Sequence, residues 1–194
     1  MGETDANALD RADMERLIAG QDAALNCLME RHAAPVFHFL CRMVGNEDDA
    51  NDLAQETFAR VFRARARFRL NEKFSTWLYT IAANLARNHF RWRARHPNVS
   101  LNTGTEDPEQ SLENILPARD AAPSEQTLAA ERAAAVRKEV SRLAEDLREA
   151  IVLCEWEDRS MAEAAIILET TPKAIESRLY RARKQLRERL QGWL

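Results

Sequence analysis

Glycine and proline are scarce in this chain, whose 194 residues include 5 glycines and 6 prolines. No stretch alternates apolar and polar residues with the β-branched side chains that a half-buried strand needs. Alanine, leucine, arginine and glutamate dominate instead, and these residues favour helix. A hydrophobic content of 45% with 30% charged residues is ordinary for a chain that buries a core. The sequence therefore predicts an all-α protein.

The chain also has only three cysteines and no long apolar run. Cys27, Cys41 and Cys154 stand too far apart for a zinc or redox pair, and apolar neighbours at helical spacing predict buried free thiols. No apolar run approaches membrane-spanning length, and the N-terminal segment has acids where a signal peptide needs a positive start. The four histidines show no metal spacing. We therefore expect a cytoplasmic protein without a metal or other cofactor.

The formal net charge of −3 hides a strong segregation of charge along the chain. Ten cations and one acid lie between Arg60 and Arg95, and seven cations and two acids lie between Lys173 and Arg189. Between these two basic blocks, residues 106–131 hold seven acids and one arginine. This placement predicts two surfaces that bind a polyanion, although scattered arginines that merely solvate helices are the simpler alternative.

Composition divides the chain into two helical domains and a linker. Residues 12–96 show apolar positions at helical spacing, and Pro35 is expected to kink or split one helix. Ser75 is expected to cap the last helix of this domain. Residues 97–125 contain four of the six prolines and few apolar residues, which predicts a flexible acidic linker. Residues 126–194 form the second predicted domain.

The second domain carries a helix-turn-helix pattern. Ser160 can cap a short helix, and after a tight turn Thr171 and Pro172 suit the start of a longer one. Side chains on the free face of such a helix reach base edges and phosphates in the DNA major groove. The residues predicted to do so are Lys173, Glu176, Ser177, Arg178, Tyr180, Arg181, Arg183 and Lys184.

The upstream basic block differs because aromatic residues and amides are interleaved with its arginines. Aromatic faces, cations and amides are what unstacked single-stranded bases need. The candidates are Trp77, Asn84, Arg87, Asn88, Arg91, Trp92 and Arg95. Phe74, Trp77 and Tyr79 fit a hydrophobic core equally well, whereas the polar residues that share one side of the helix do not.

Four segments, in this order, resemble the extracytoplasmic function sigma factors, the smallest members of the bacterial primary sigma family. They are DLAQETF (52–58), FSTWLYTIAANLARNHFRWRAR (74–95), LREAIVLCEWEDRSMAEAAIIL (147–168) and IESRLYRARKQLR (175–187). The resemblance implies a domain like sigma region 2 and a helix-turn-helix domain like sigma region 4. The chain differs from residues common in the family at Asn88, at Glu176 and at the pair Ala174-Ile175. These differences affect which promoter bases it would bind.

The resemblance also implies a function, the promoter-specificity subunit of RNA polymerase. Residues Asp52, Leu53, Gln55, Glu56 and Phe58 would bind the β′ clamp helices of the polymerase core. The 84–95 helix would recognise and melt the −10 element of promoter DNA. The last helix would read the −35 element, with its domain on the β flap. Family members are held inactive by an anti-sigma protein, often one anchored in the membrane, and they have no catalytic residues or small-molecule substrate of their own.

Two other functions remain open from the residues alone. A stand-alone helix-turn-helix transcriptional regulator needs only the second domain to bind DNA, and the aromatic-rich basic block speaks against it. A metal-dependent nuclease would use the acids at 47–49 with Asp52 and Glu56, but clustered acids at a helix start more often serve capping.

Overall fold

The computed structural model describes residues 3–96 and 123–191. These two ranges form helices and connecting turns, and no strand occurs within them, so the prediction of an all-α chain is confirmed. The helices are α1 (Glu3–Ile18), α2 (Ala24–Val44), α3 (Glu47–Ala64), α4 (Phe74–Arg95), α5 (Pro123–Ser141), α6 (Glu145–Glu155), α7 (Met161–Ile167) and α8 (Pro172–Arg189). Most of the predicted linker lies outside the described residues, and its last three residues, 123–125, already belong to α5.

Helices α1, α3 and α4 pack around the long helix α2, which contacts all three. The sequence analysis identifies no helix before residue 12, yet α1 is present and buries Met14 and Leu17 completely. Polar contacts also hold it to α2, because Arg31 Nε donates to Asp10 Oδ1 at 2.9 Å and Asp10 is itself buried. A helix that buries carboxylates on its inner face has a weak apolar stripe, so the sequence pattern missed it.

Proline 35 does not split α2, which runs unbroken through it. The ring removes one backbone donor, but Val36, Phe39 and Leu40 just beyond it are fully buried. Burial of several large apolar side chains outweighs the loss of one helical hydrogen bond.

Local signals mark the boundary between α2 and α3. Gly45 ends α2 in the left-handed conformation (φ 74°), where its N–H donates to the carbonyl oxygen of Cys41 at 2.9 Å. Asn46 then caps α3, since its Oδ1 accepts from the N–H of Asp49 at 2.8 Å.

The predicted cap of α4 is wrong. The helix begins at Phe74, one residue before Ser75, and Ser75 is buried inside the first turn. Its Oγ accepts a hydrogen bond from Arg159 Nη1 of the second domain at 3.1 Å. The serine therefore serves a tertiary contact, which its sequence neighbours could not reveal.

Helices α5 to α8 form the second bundle. The two helices of its helix-turn-helix, α7 and α8, begin where the sequence predicts. Ser160 and Glu163 make a reciprocal capping box at the start of α7, with bonds of 3.2 Å and 3.1 Å. Thr171 Oγ1 accepts from the N–H of Ala174 at 3.2 Å, and Pro172 occupies the first turn of α8. Ile175, Leu179 and Ala182 bury the inner face of α8.

The two bundles are packed against each other. Helix α4 contacts α7, and α2 contacts both α5 and α6. The buried apolar residues of both bundles belong to one continuous cluster. Separately, no helix within residues 3–96 and 123–191 has the length and apolar character needed to cross a membrane.

A pH-dependent contribution to stability is expected from Glu163. Burial alone would raise the pKa of this carboxyl, but hydrogen bonds from Lys73 and Ser160 outweigh burial and lower its pKa to about 2. Since the folded pKa lies below the unfolded value of 4.5, the stabilisation is present above pH 4.5 and is lost as pH falls towards 2. We expect Glu163→Gln to lower the free energy of unfolding by about 1–2 kcal/mol at pH 7, with no difference near pH 2.

Urea denaturation followed by circular dichroism, repeated from pH 7 to pH 2, measures this difference. Glu188→Gln on the exposed side of α8 is the matched control and should change stability by less than about 0.5 kcal/mol. A loss that is constant across the whole pH range would contradict the assignment.

Candidate nucleic-acid interface

Helix α8 presents a cationic outer face. Lys173, Tyr180 and Lys184 are exposed on it, and Tyr180 is 70% accessible. Glu176, Ser177 and Arg181, also predicted to contact DNA, share this exposure. Because Ile175, Leu179 and Ala182 anchor the opposite face, the outer side chains project from a helix fixed in place.

The flanking arginines of α8 are held by acids of α6 in the same domain. Arg178 Nε lies 3.6 Å and Arg181 Nη2 3.7 Å from Asp146 Oδ2, and Arg183 Nε donates to Glu155 Oε1 at 3.1 Å. These partly exposed pairs orient the guanidinium groups at little energetic cost, so phosphates can replace the carboxylates as partners.

The C-terminal half of α4 is open to solvent. Asn88, Arg91, Trp92 and Arg95 are all exposed. Together with Leu53, Leu85 and His89 they line an open cleft of about 390 Å³ between α3 and α4. Trp92 is 45% accessible and stacks on His96, with ring centroids 4.9 Å apart. An accessible indole beside two arginines suits base stacking with phosphate neutralisation.

The N-terminal half of α4 is arranged differently, because its candidate residues face other protein groups. Arg87 Nε donates to Glu149 Oε1 at 2.6 Å, and Arg87 Nη1 donates to Asn84 Oδ1 at 2.8 Å. Trp77 is half-buried against Phe68, with centroids 5.1 Å apart, as the core alternative predicted. The structure thus divides the seven candidates into four exposed residues and three engaged ones.

The candidate polymerase-binding residues on α3 do not all reach the surface. Asp52 and Gln55 are exposed, and Leu53 is half-buried at the cleft. Glu56 accepts hydrogen bonds from Arg60 at 2.8 Å and from Arg63 at 2.7 Å, and the bond from Arg60 lowers its pKa. Phe58, by contrast, is only 4% accessible, so its ring supports the core and cannot contact a partner here.

The acids at the start of α3 have structural partners. Asp49 Oδ2 lies 3.4 Å from His89 Nε2 and 3.5 Å from Arg93 Nη1, both on α4. Its neighbours Glu47 and Asp48 stand in the first turn, where the helix dipole favours negative charge. This arrangement explains the acidic cluster as capping and helix–helix contact rather than as metal ligation.

The sequence analysis missed the acids of the second domain that bond α4 and its neighbours. Burial raises the pKa of Glu149, against the opposing effect of Arg87, and burial likewise raises the pKa of Glu157. Glu149 lies at a buried position in the segment 147–153 (LREAIVL), whose apolar residues are also buried. A charged residue on an otherwise apolar face is the one signal that could have identified it.

Comparisons with known proteins identify the family. The Sigma-70 region 2 profile matches residues 28–96, and the Sigma-70 region 4 profile matches residues 133–186. The chain is 33% identical to RNA polymerase sigma-H factor of Pseudomonas aeruginosa over 189 residues, covering 95% of each protein. It is also 33% identical to ECF RNA polymerase sigma-E factor of Haemophilus influenzae, covering 94% of this chain and 95% of that protein. The chain belongs to the extracytoplasmic function (ECF) group of the sigma-70 family.

Solved structures agree with this membership. The ECF sigma factor fold matches CnrH in its complex with the cytosolic domain of CnrY, with a TM-score of 0.68 and 26% identity, covering 95% of this chain and 98% of that one. It also matches the sigma factor RpoE in complex with the anti-sigma factor NepR from Bartonella quintana, with a TM-score of 0.66 and 26% identity. That match covers 86% of this chain and 96% of RpoE. These comparisons support a sigma factor and give no support to a stand-alone regulator.

Two substitutions on α3 of this sigma factor should distinguish its buried face from its exposed face by their effects on stability. We expect Phe58→Ala to lower the free energy of unfolding by about 3–5 kcal/mol, because it removes a buried ring from the first bundle. Asp52→Ala on the exposed side should change it by less than about 0.5 kcal/mol. Urea titration of both variants measures the difference, and equal losses would show that the α3 faces are assigned wrongly.

Proposed function

We propose that this ECF sigma factor is the promoter-specificity subunit of RNA polymerase and works in the cytoplasm. Its first domain, residues 12–96, binds the β′ clamp helices and the −10 element, and residues 126–194 read the −35 element and rest on the β flap. The observation that carries the proposal is the pair of exposed cationic surfaces, one on α8 and one on the C-terminal half of α4, in separate helical bundles.

The two surfaces suit different forms of DNA. Helix α8 offers Lys173, Arg181 and Lys184 at the outer face of a helix-turn-helix, where a duplex major groove accommodates a helix. The α4 cleft offers the Trp92 ring with Arg91 and Arg95, which suits unstacked bases of a single strand. Unstacking costs a few kcal/mol per base, so stacking and charge in the cleft have to offset it.

The division into two modest sites has an energetic purpose. Each domain alone binds DNA weakly, and joining them in one chain raises the effective concentration of the second contact once the first is made. The polymerase core performs the chemistry, and this subunit contributes binding free energy and no catalytic group.

Asp52, Leu53, Gln55 and Glu56 form the polymerase contact on α3, with Phe58 fixing the helix from the core. A regulator is also proposed. Two structurally similar sigma factors were solved with CnrY and with the anti-sigma factor NepR. We therefore expect an anti-sigma protein, membrane-anchored in many relatives, that covers the polymerase-binding surface.

Run-off transcription with purified core polymerase on a library of promoter fragments tests the proposal. Initiation at selected fragments that depends on this protein supports it and yields the promoter sequence. A protein that neither co-elutes with core polymerase nor directs initiation would refute it.

Arg181→Ala should weaken reading of the −35 element. Loss of a base or phosphate contact should raise the Kd for a duplex −35 fragment about tenfold. Arg11→Ala, an exposed arginine of α1, is the matched control and should leave that Kd unchanged. Fluorescence anisotropy of the holoenzyme with labelled duplex measures both, and equal effects of the two variants would contradict the α8 assignment.

Asn84→Ala should impair strand opening rather than duplex binding. Loss of one amide contact to an extruded base should lower open-complex formation on duplex promoter about fivefold. A promoter whose −10 region is mispaired in advance should restore the rate, because the unstacking cost has already been met. Potassium permanganate footprinting follows opening, and a defect that persists on the mispaired template would contradict this role.

A further inference from the structure

Asp146, in the first turn of α6, faces two arginines of the helix that is proposed to read DNA. Its Oδ2 lies 3.6 Å from Arg178 Nε and 3.7 Å from Arg181 Nη2. The two arginines are three residues apart in α8, so their side chains are neighbours on one side of that helix. Both distances are those of ion pairs rather than of short hydrogen bonds. One carboxylate of α6 therefore bridges two guanidinium groups of α8.

Arg181 is restrained at a second point. Its Nε donates to the carbonyl oxygen of Ser177, one turn back in α8, at 3.4 Å. Because the guanidinium group is planar, contacts at Nε and at Nη2 together orient its plane. The side chain is nevertheless 57% accessible, which leaves it open to an external partner. A guanidinium whose plane is oriented before binding suits bidentate pairing with a guanine edge, since less side-chain freedom is lost on binding.

The ion pairs of Asp146 are not what holds α6 and α8 together. The Asp146 side chain is 44% accessible, and ion pairs with this much exposure are screened by water and salt and stabilise a fold little. The attachment of the two helices is apolar, because Ile175 and Leu179 of α8 belong to the same buried cluster as Ile151 and Leu153 of α6. The charge of Asp146 therefore matters for the arginines more than for the fold.

A carboxylate beside these arginines affects non-specific and specific DNA differently. Every duplex offers phosphates, and a phosphate that pairs with Arg178 or Arg181 has to displace Asp146. The exchange of one anion for another gains little, so binding to an arbitrary sequence is weakened. A matching site also offers base edges to Arg181, and prior orientation of the guanidinium favours those bonds. The acid thus acts against the wrong sequences and in favour of the right one.

We propose that Asp146 is a positioning residue that sets how strongly this sigma factor discriminates its −35 element from other duplex DNA. It acts through Arg178 and Arg181 rather than by contact with DNA. The inference rests on the proposed function, because it requires that α8 reads the −35 element. Removal of the charge should raise the affinity for arbitrary duplex and lower the affinity for the matching one.

Asp146→Asn removes the charge and keeps the size of the side chain. In the holoenzyme we expect the Kd for a scrambled duplex to fall about threefold and the Kd for the −35 duplex to rise about threefold, so that selectivity drops about tenfold. One more phosphate should be neutralised on the scrambled duplex, which steepens the plot of log binding constant against log salt by about 0.9. Fluorescence anisotropy measures these quantities with the −35 fragment found by run-off transcription and its scrambled form.

Two further variants distinguish positioning from a structural role. Asp146→Glu restores the carboxylate and should return the selectivity to within about threefold of the unmodified protein. Glu145→Gln is the matched control, since Glu145 stands beside Asp146 in the first turn of α6 and carries the same formal charge. Burial lowers the pKa of Arg148, and the Glu145 carboxylate acts against this within its own helix. Its loss should change the selectivity by less than about twofold and leave the salt slope unaltered.

The orientation of the arginines can be measured without DNA. Heteronuclear NOE values of arginine Nε–Hε groups, recorded by NMR on the full chain, report side-chain mobility on the picosecond to nanosecond timescale. We expect Arg178 and Arg181 to be restrained in the unmodified chain and in Glu145→Gln, and to become mobile in Asp146→Asn. Circular dichroism melting confirms that each variant is folded. Arginines that are equally mobile in all three proteins would overturn the positioning role.

The outcomes distinguish this inference from the proposed function. A holoenzyme that initiates selectively, but whose selectivity is unchanged by Asp146→Asn, lowered equally by Glu145→Gln or not restored by Asp146→Glu, would overturn the inference and leave the proposed function intact. A holoenzyme with no preference for the −35 duplex over its scrambled form would refute reading of the −35 element by α8 and this inference with it.

Discussion

The buried pairing of Arg87 with Glu149 is the contact on which the arrangement of this protein depends. Each charge alone would be costly in the interface, and together they tie α6 to α4. Tyr79 of α4 also bonds a carboxylate of the second bundle, because its Oη donates to Glu157 Oε2. Burial raises the pKa of both carboxyls, while Arg87 and Tyr79 on the first domain act in the opposite direction and offset only part of the cost of burying the charge.

Helix α4 has two halves with different surroundings. Asn84 and Arg87 lie under the second bundle, where a guanidinium group bonds an amide and a carboxylate. Beyond Arg87, Trp92 and four polar residues line an open cleft: Asn88, His89, Arg91 and Arg95. The groups that bond carboxylates are also the groups that bond phosphates and base edges, so one surface can serve an internal and an external partner in turn. On helix α8 the competing partners are acids of α6, because Arg178 and Arg181 lie near Asp146 and Arg183 donates to Glu155.

Membership of the ECF group explains why these two bundles occur in one chain, and the proposed mechanism gives each a task. The cationic face of α8 positions duplex DNA, the α4 cleft accommodates unstacked bases, and α3 offers acidic and polar residues to a larger assembly. None of these tasks needs a reactive side chain. What the proposed mechanism requires of the protein is the placement of charge and aromatic surface on rigid helices.

The sequence by itself determined the local features: the all-α class, the helix cap at Ser160, the start of α8 at Thr171, and the segregation of positive charge. These follow from residues close together in the chain, whose propensities and spacing are readable in order. It could not determine that Pro35 lies inside an unbroken helix, that Ser75 bonds Arg159, or that Phe58 is in the core. The tertiary structure decided these, because each depends on groups far away in sequence. The same holds for Asn84 and Arg87, whose polar character identified them as candidates while their partners, 85 and 62 residues further along, determine whether DNA can reach them.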